Sequence, residues 1–189
     1  MEISLIRHGK SMCTKINRIP CKDFKDWVEK YDYSGVFEEN SYPTETLKKI
    51  ATANIIISSG LKRSVESANL LCPNLKAISV PLFRETELPI PLTKLGGLKL
   101  NSSLWAVILR CLWLSGYSRG CESFSNAKNR AKKASELLVE YAQEHTSVVL
   151  AGHGFFNMLI AKELQKTGWK GKKKTSSKHW SCTTYSFFN

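Results

Sequence analysis

The chain has 189 residues, of which 42% are hydrophobic and 23% charged, and its formal net charge is +12. This composition is ordinary for one globular domain, long enough to bury a sheet between helices. No run reaches the ~18–20 apolar residues of a membrane span, and the residues before Arg7 lack the apolar region of a signal peptide. The six cysteines show neither close pairing nor metal-ligand spacing, so we expect reduced thiols and a cytoplasmic location.

The first predicted element is a short apolar strand that runs into Arg7-His8-Gly9. A strand that ends on a glycine turn presents side chains at the carboxyl edge of an α/β sheet. An arginine can hold an anion bidentately while a neutral histidine supplies a lone pair, so the pair suits nucleophilic attack on an anion. The tripeptide alone is a weak signal, because both side chains could simply lie on the surface.

Two helices are predicted before the next strand. Phe24, Trp27, Val28 and Tyr31 recur at helical spacing, which indicates an amphipathic helix that packs against the core. A second helix is predicted to begin near residues 42–44 and to end before residue 55.

The second strand ends in Ser58-Ser59, and a helix over about 61–72 places Arg63 in its first turn. The unpaired N–H groups and the dipole of such a turn favour the same anion that an arginine binds. The alternative is an ordinary pair between Arg63 and Glu66, worth only ~0.3–0.5 kcal/mol on a surface. A short strand over 77–80 is expected to follow.

The middle of the chain contains a helix, residues 104–114, that is apolar nearly all round and broken only by Arg110. Such a helix is either a core helix or the roof of a pocket or subunit interface, with Trp105 or Trp113 facing the pocket in the second case. A long helix is predicted over about 124–141, with Ser123 or Ser125 as its N-cap.

A third strand, residues 148–152, ends on His153 between two glycines, before a helix over about 155–165. His153 could be a satisfied histidine at a sheet edge. Residues 179–188 have the aromatic and β-branched content of a closing strand.

Seven lysines lie between residues 162 and 178. They indicate either a solvated loop or a surface that attracts polyanions and phosphorylated substrates. Nucleic-acid binding is not expected, because no known binding module is present and only Trp169 and Trp180 accompany the lysines.

Four motifs, in this order, resemble the signature of the histidine phosphatase superfamily, which includes the cofactor-dependent phosphoglycerate mutases. They are Arg7-His8-Gly9, Ser58-Ser59 with Arg63, Phe83-Arg84-Glu85, and Gly152-His153-Gly154. The resemblance implies a three-layer α/β/α sandwich with a mostly parallel sheet. It also implies one domain over 1–189, with an insertion around 88–120 that roofs the pocket. Ser67-Ala68 stand where the family has Thr-Ala.

The resemblance also implies roles for individual residues. His8 would form a phosphohistidine, Arg7 and Arg63 would hold the phosphate oxygens, and His153 would donate a further hydrogen bond. Glu85 would protonate the leaving group, with Glu87 as its competitor. Ser11 and Gly154 would complete the phosphate-binding set, and Lys10 would line the pocket or face solvent. No metal or other cofactor is expected, because the arginines supply the positive charge.

The family includes both hydrolases and mutases. Its mutases carry an asparagine six residues after the nucleophile, where this chain has Thr14, and they are usually longer. We therefore expect a phosphatase that acts on a small phosphomonoester, with a phosphoprotein as the other substrate class. The alternatives are a mutase-type phosphotransferase and a non-catalytic relative that binds polyanions or nucleic acid. Homodimer formation stays open.

Overall fold

A six-stranded sheet runs through the molecule, and the computed structural model describes residues 1–13, 18–90 and 97–188. The strands, in chain order, are β1 (Glu2–Arg7), β2 (Arg18–Pro20), β3 (Ile55–Ser58), β4 (Ile78–Ser79), β5 (Lys99–Asn101), β6 (Ser147–Gly152), β7 (Lys170–Gly171) and β8 (Cys182–Ser186). The central sheet has the order β4-β3-β6-β1-β8-β7, while β2 and β5 form a separate antiparallel pair.

The first four strands of this order are parallel, and β8 runs antiparallel to both β1 and β7. Parallel strands end at the same edge of a sheet, which is where α/β folds place their binding sites. Here β1, β3 and β6 end on Arg7, Ser58 and Gly152. The topology alone therefore brings three of the four sequence motifs to one edge.

In the described parts of the chain, six helices accompany the sheet: α1 (Phe24–Asp32), α2 (Thr44–Ala51), α3 (Lys62–Leu71), α4 (Ser102–Leu114), α5 (Phe124–His145) and α6 (Gly154–Lys166). Side chains alternate across a strand, so β1 sends Ile3 and Leu5 to one face and Ile6 to the other. Ile3 and Leu5 pack with α5 and α6, and Ile6 packs with α2 and α3. The expected α/β sandwich with a mostly parallel sheet is confirmed.

Helix α4 belongs to the core. Trp105 is buried against Phe24 of α1, and its indole N–H donates to the carbonyl of Ile19 at 2.8 Å. Trp113 is buried against Phe124. Both tryptophans are therefore packed inside the protein, as the core-helix interpretation requires.

Several smaller predictions can be compared directly with the structure. The hydroxyl of Ser123 accepts a hydrogen bond from the N–H of Asn126, so Ser123 is the N-cap of α5. The lysine-rich stretch is not only a loop, since it contains the short strand β7, which pairs with β8. All six cysteines are free thiols.

Among the described residues, we find no helix with the length and apolar character needed to cross a membrane.

Candidate active site

The end of β1 and the starts of α3 and α6 line one cavity of about 410 Å³. Five of the seven residues expected at the site line it: Arg7, His8, Arg63, Glu85 and Gly154. The remaining wall consists of Tyr31, Phe155, Met158, Thr175, Ser176 and Ser177. His153 lies directly behind His8, with 5.1 Å between the ring centroids, and Ser11 is not part of the wall.

His8 is held in one tautomer. Its Nδ1 lies 2.8 Å from the carbonyl oxygen of Gly9, and a carbonyl can only accept a hydrogen bond. The proton of the neutral ring is therefore on Nδ1, which leaves the lone pair on Nε2. Burial and then the charge of Arg63 hold the pKa of His8 well below its ordinary value. His8 is consequently a neutral imidazole with a free Nε2 at neutral pH.

The backbone around His8 is fixed from several sides. The His8 N–H donates to the carbonyl of Gly152 at 3.0 Å, and the Gly9 N–H donates to the hydroxyl of Ser67 at 2.9 Å. A Cβ at position 9 would lie 2.1 Å from the ring of Trp180. Position 9 therefore requires glycine because the Trp180 ring packs directly on the backbone there.

The two arginines are each held through NH1. Arg63 is 3% exposed, and its NH1 donates to Oδ1 of Asp32 at 2.7 Å. The NH1 of Arg7 donates to the carbonyl of Ser177. The Nε atoms of both arginines are buried and have no hydrogen-bond partner among the described residues. Since buried donors are almost always satisfied, two unpaired donors at one cavity indicate a site for an acceptor-rich anion.

His153 contributes a third buried nitrogen without a partner. Its Nε2 is hydrogen-bonded to the hydroxyl of Ser59 at 2.6 Å, and that hydroxyl also accepts from the N–H of Leu61 at 3.3 Å. Its Nδ1 is buried and finds no partner in the described part of the chain. Burial, then Arg63 and then His8, keep the pKa of His153 well below its ordinary value.

Glu85 reaches the cavity from the loop that follows the 3₁₀ turn Pro81–Phe83. Its Oε2 accepts from the N–H of Phe155 at 3.2 Å, and its Oε1 accepts from Phe156 at 3.0 Å. The carboxylate thereby caps the first turn of α6, where N–H groups lack partners within the helix. Oε2 accepts only this one bond, so its second lone pair can carry a proton while the bond to Phe155 is kept.

The structure separates the two glutamates that the sequence leaves as alternatives. Glu87 pairs with Arg84 at 2.9 Å, its side chain is 43% exposed, and it does not line the cavity. Glu85 does. Glu85 is held in the cavity by its bonds to the N-terminus of α6.

The remaining predicted residues have different positions. Gly154 lies beside Arg7, and a Cβ there would be 3.3 Å from the Arg7 Nε, so glycine lets the guanidinium cross the first turn of α6. Ser11 is buried away from the cavity wall, and its hydroxyl accepts from the N–H of Cys13 at 3.2 Å. Lys10 is exposed and does not line the wall. Thr14 is outside the described residues.

Besides the other wall residues, the sequence analysis did not identify three residues that surround the arginines and His8: Tyr31, Asp32 and His179. Tyr31 lines the cavity and lies 4.7 Å below the guanidinium of Arg63, and Asp32 pairs with that guanidinium. His179 lies 5.5 Å from the His8 ring, and its Nδ1 donates to the His8 carbonyl at 2.9 Å. The amphipathic pattern of α1 predicts burial for Tyr31, but no sequence signal connects α1 to Arg63.

The charge of the site is positive. Arg7 and Arg63 line the cavity together with one carboxylate, Glu85. Within residues 1–13, 18–90 and 97–188, no three His, Cys, Asp or Glu side chains form a group able to hold a metal ion.

A model of the histidine phosphatase superfamily (branch 1) matches residues 44–188. This range contains Arg63, Glu85 and His153 but begins after Arg7 and His8. The position of His8 at the site therefore rests on the structure. No curated protein matches the chain.

Solved structures share the fold. The protein TTHB049 from Thermus thermophilus has a TM-score of 0.59 at 18% identity, over 97% of this chain and 92% of that one. A mycobacterial glucosyl-3-phosphoglycerate phosphatase has a TM-score of 0.56 at 19% identity, over 87% and 79%. A provisionally assigned alpha-ribazole-5'-P phosphatase from Escherichia coli has a TM-score of 0.55 at 15% identity, over 86% and 79%.

The lowered pKa of His8 gives a prediction for NMR titration. The folded protein should keep His8 neutral well below pH 6.5, the ordinary value, whereas the urea-unfolded chain should protonate near it. The unfolded state then binds more protons, so stability falls as the pH drops below about 6.5. Arg63→Gln should raise the pKa of His8, while Lys62→Gln, which removes an exposed neighbouring charge, should not. A His8 signal that titrates near 6.5 in the folded protein would contradict this assignment.

Proposed function

Because this chain belongs to the histidine phosphatase superfamily, we propose that it is a phosphomonoesterase that works through a phosphohistidine on His8. One observation carries the proposal. A neutral His8, with its lone pair on Nε2, shares a cavity with two arginines whose buried Nε atoms have no partner among the described residues. A phosphate group supplies the acceptors that these donors lack, and its phosphorus is the electrophile that the imidazole needs.

The first chemical step transfers the phosphoryl group to the protein. The Nε2 lone pair of His8 attacks phosphorus as the bond to the leaving oxygen breaks, and Glu85 gives its proton to that oxygen. Arg7 and Arg63 bind the non-bridging oxygens, where charge accumulates in a loose transition state. These two guanidinium groups supply the positive charge at the reacting phosphate, and on this ground we propose a reaction that does not depend on a metal ion.

The second step returns the protein to its starting state. Water attacks the phosphorus of the phosphohistidine and gives a proton to the Glu85 carboxylate, and the N–P bond breaks. Inorganic phosphate leaves, His8 regains its Nε2 lone pair, and Glu85 is again protonated for the next cycle. In this scheme His153 donates a further hydrogen bond to the phosphate.

The cavity favours a small substrate. Its 410 Å³ lies within the usual range for small-molecule sites. Tyr31, Phe155 and Met158 contribute apolar surface to the wall. Thr175 to Ser177 also line the cavity and directly follow the exposed lysines 172–174 in the chain. Two proteins with the same fold carry the names of small-molecule phosphatases, for alpha-ribazole-5'-P and glucosyl-3-phosphoglycerate. A panel of phosphomonoesters, with a phosphopeptide included, identifies the class by the release of inorganic phosphate.

The six free thiols suit a reducing compartment, and we place the protein in the cytoplasm as part of this proposal.

Trapping of the phosphoenzyme tests the nucleophile. Rapid quenching with a ³²P-labelled substrate should yield an acid-labile, alkali-stable phosphoprotein, and His8→Ala should abolish the label and lower kcat by at least about 10³-fold. His145→Ala is the matched control, because His145 lies at the far end of α5. Label that persists on His8→Ala would assign the reaction to another nucleophile, such as a cysteine.

The dependence on the leaving group tests Glu85. Glu85→Gln should slow the hydrolysis of alkyl phosphates by ~10²–10⁴-fold, the range for general acid catalysis. Nitrophenyl phosphate should be affected much less, because nitrophenolate departs without a proton. Glu87→Gln is the control and should change neither rate.

Equal losses on both substrates would show that Glu85 acts only as the cap of α6. A loss confined to Glu87→Gln would transfer the role of the acid to Glu87.

A further inference from the structure

The last turn of α1 places a carboxylate beside Arg63, one of the two arginines that we propose to bind phosphate. Asp32 Oδ1 lies 2.7 Å from NH1 of Arg63. We propose that Asp32 is a positioning residue that orients Arg63 and offsets its charge, and thereby weakens the binding of the phosphate dianion enough for the product to leave. This inference rests on the proposed function, because it concerns the same anion site.

The orientation follows from which atoms of Arg63 are occupied. NH1 is bonded to Asp32, and Nε is buried and unpaired within the described part of the chain. A guanidinium offers two edges for bidentate binding, one with both NH groups and one with Nε and NH2. Because Asp32 occupies NH1, it leaves the edge that carries Nε without an acceptor among the described residues. The ring of Tyr31, 4.7 Å from the guanidinium carbon, fixes the plane from one side.

Asp32 is placed behind Arg63 as seen from the cavity. Arg63 lines the 410 Å³ cavity, whereas Asp32 does not; Asp32 lines a separate surface recess of about 880 Å³, together with Glu29 and Glu66. A phosphate in the cavity and the carboxylate of Asp32 would therefore bind the same guanidinium at the same time. The same positive charge attracts both anions, so each anion weakens the attraction of the guanidinium for the other.

Helix α1 alone does not favour a carboxylate at the position of Asp32. Asp32 is the last residue of the helix, where the negative end of the helix dipole disfavours a carboxylate. The ion pair with Arg63, whose side chain is 3% exposed, provides the compensating interaction. The same ion pair compensates the charge of the buried guanidinium when no anion is bound, and an uncompensated buried charge would be destabilising.

The consequence for turnover concerns product release. Inorganic phosphate is itself a dianion that fits the site, so strong binding by two unopposed arginines would hold it in place. Binding that is equally strong for substrate, transition state and product lowers KM without raising kcat. An acid behind one arginine reduces this uniform binding while leaving the orientation of the guanidinium intact.

Calorimetric titration with inorganic phosphate tests the role of Asp32 without requiring turnover. Asp32→Asn keeps an oxygen that can accept from NH1 but removes the charge, and it should bind phosphate on the order of 10-fold more tightly than the wild type. Asp26→Asn is the matched control, because Asp26 is an exposed residue of the same helix and the same net charge is removed. It should bind phosphate as the wild type does.

The outcomes are distinguishable. If the wild type binds phosphate and Asp32→Asn binds it equally or more weakly, the inference is overturned while the anion site stands. If the wild type binds no phosphate, the anion site itself is overturned, and the inference with it. If Asp32→Asn is unfolded on its own, added phosphate should restore its melting transition, since the anion then replaces the carboxylate; failure to restore it would overturn the inference.

Steady-state kinetics provides a second readout. Asp32→Asn should lower the KM for the substrate and the inhibition constant for phosphate together, and it should lower kcat, because phosphate leaves the variant more slowly. A merely structural loss would reduce the active fraction and leave both constants unchanged.

Discussion

Two guanidinium groups lie at the carboxyl edge of the sheet with their Nε atoms buried, and each is held through a single NH1. Burial of a charge is costly unless it is paired, so the surrounding structure must supply acceptors. Arg63 forms an ion pair with Asp32 and lies over the ring of Tyr31, and Arg7 donates to the carbonyl of Ser177. Burial, then the charge of Arg63 and more weakly that of Arg7, lowers the pKa of His8 and keeps its imidazole neutral. The charge state of the nucleophile thus depends on how these arginines are held.

Two serine hydroxyl groups of helix α3 form hydrogen bonds that link the strand ends near the two arginines. The hydroxyl of Ser64 accepts from the N–H of Ser59 and donates to the carbonyl of Ala151, which joins the ends of β3 and β6. The hydroxyl of Ser67 accepts from Gly9 and donates to the carbonyl of Arg63. Ser67 stands where the family has threonine, and the hydroxyl that both residues share is the group used here.

The sequence predicted those parts of the site that depend on local pattern. Arg7 is the last residue of β1, and His8 and His153 directly follow β1 and β6. Parallel strands end at one edge of a sheet, so the convergence of these residues could be predicted without a structure. The partner of Arg63 could not be predicted in this way. Glu66 is close to Arg63 in sequence, but it accepts from the N–H of Val36 and pairs with Lys62. Arg63 pairs with Asp32 instead. That contact depends on how α1 packs on the sheet edge, which its amphipathic pattern does not specify. The same holds for Trp105 and Trp113, whose burial by α1 and α5 is a property of tertiary packing.

A crystal structure of the protein with bound vanadate tests the central claim most directly, because five-coordinate vanadate mimics the transition state of phosphoryl transfer. The account predicts vanadium bonded to Nε2 of His8, with the Nε atoms of Arg7 and Arg63 donating to its equatorial oxygens and Glu85 at the axial oxygen opposite His8. Vanadate bonded to a cysteine, or bound away from this cavity, would contradict it.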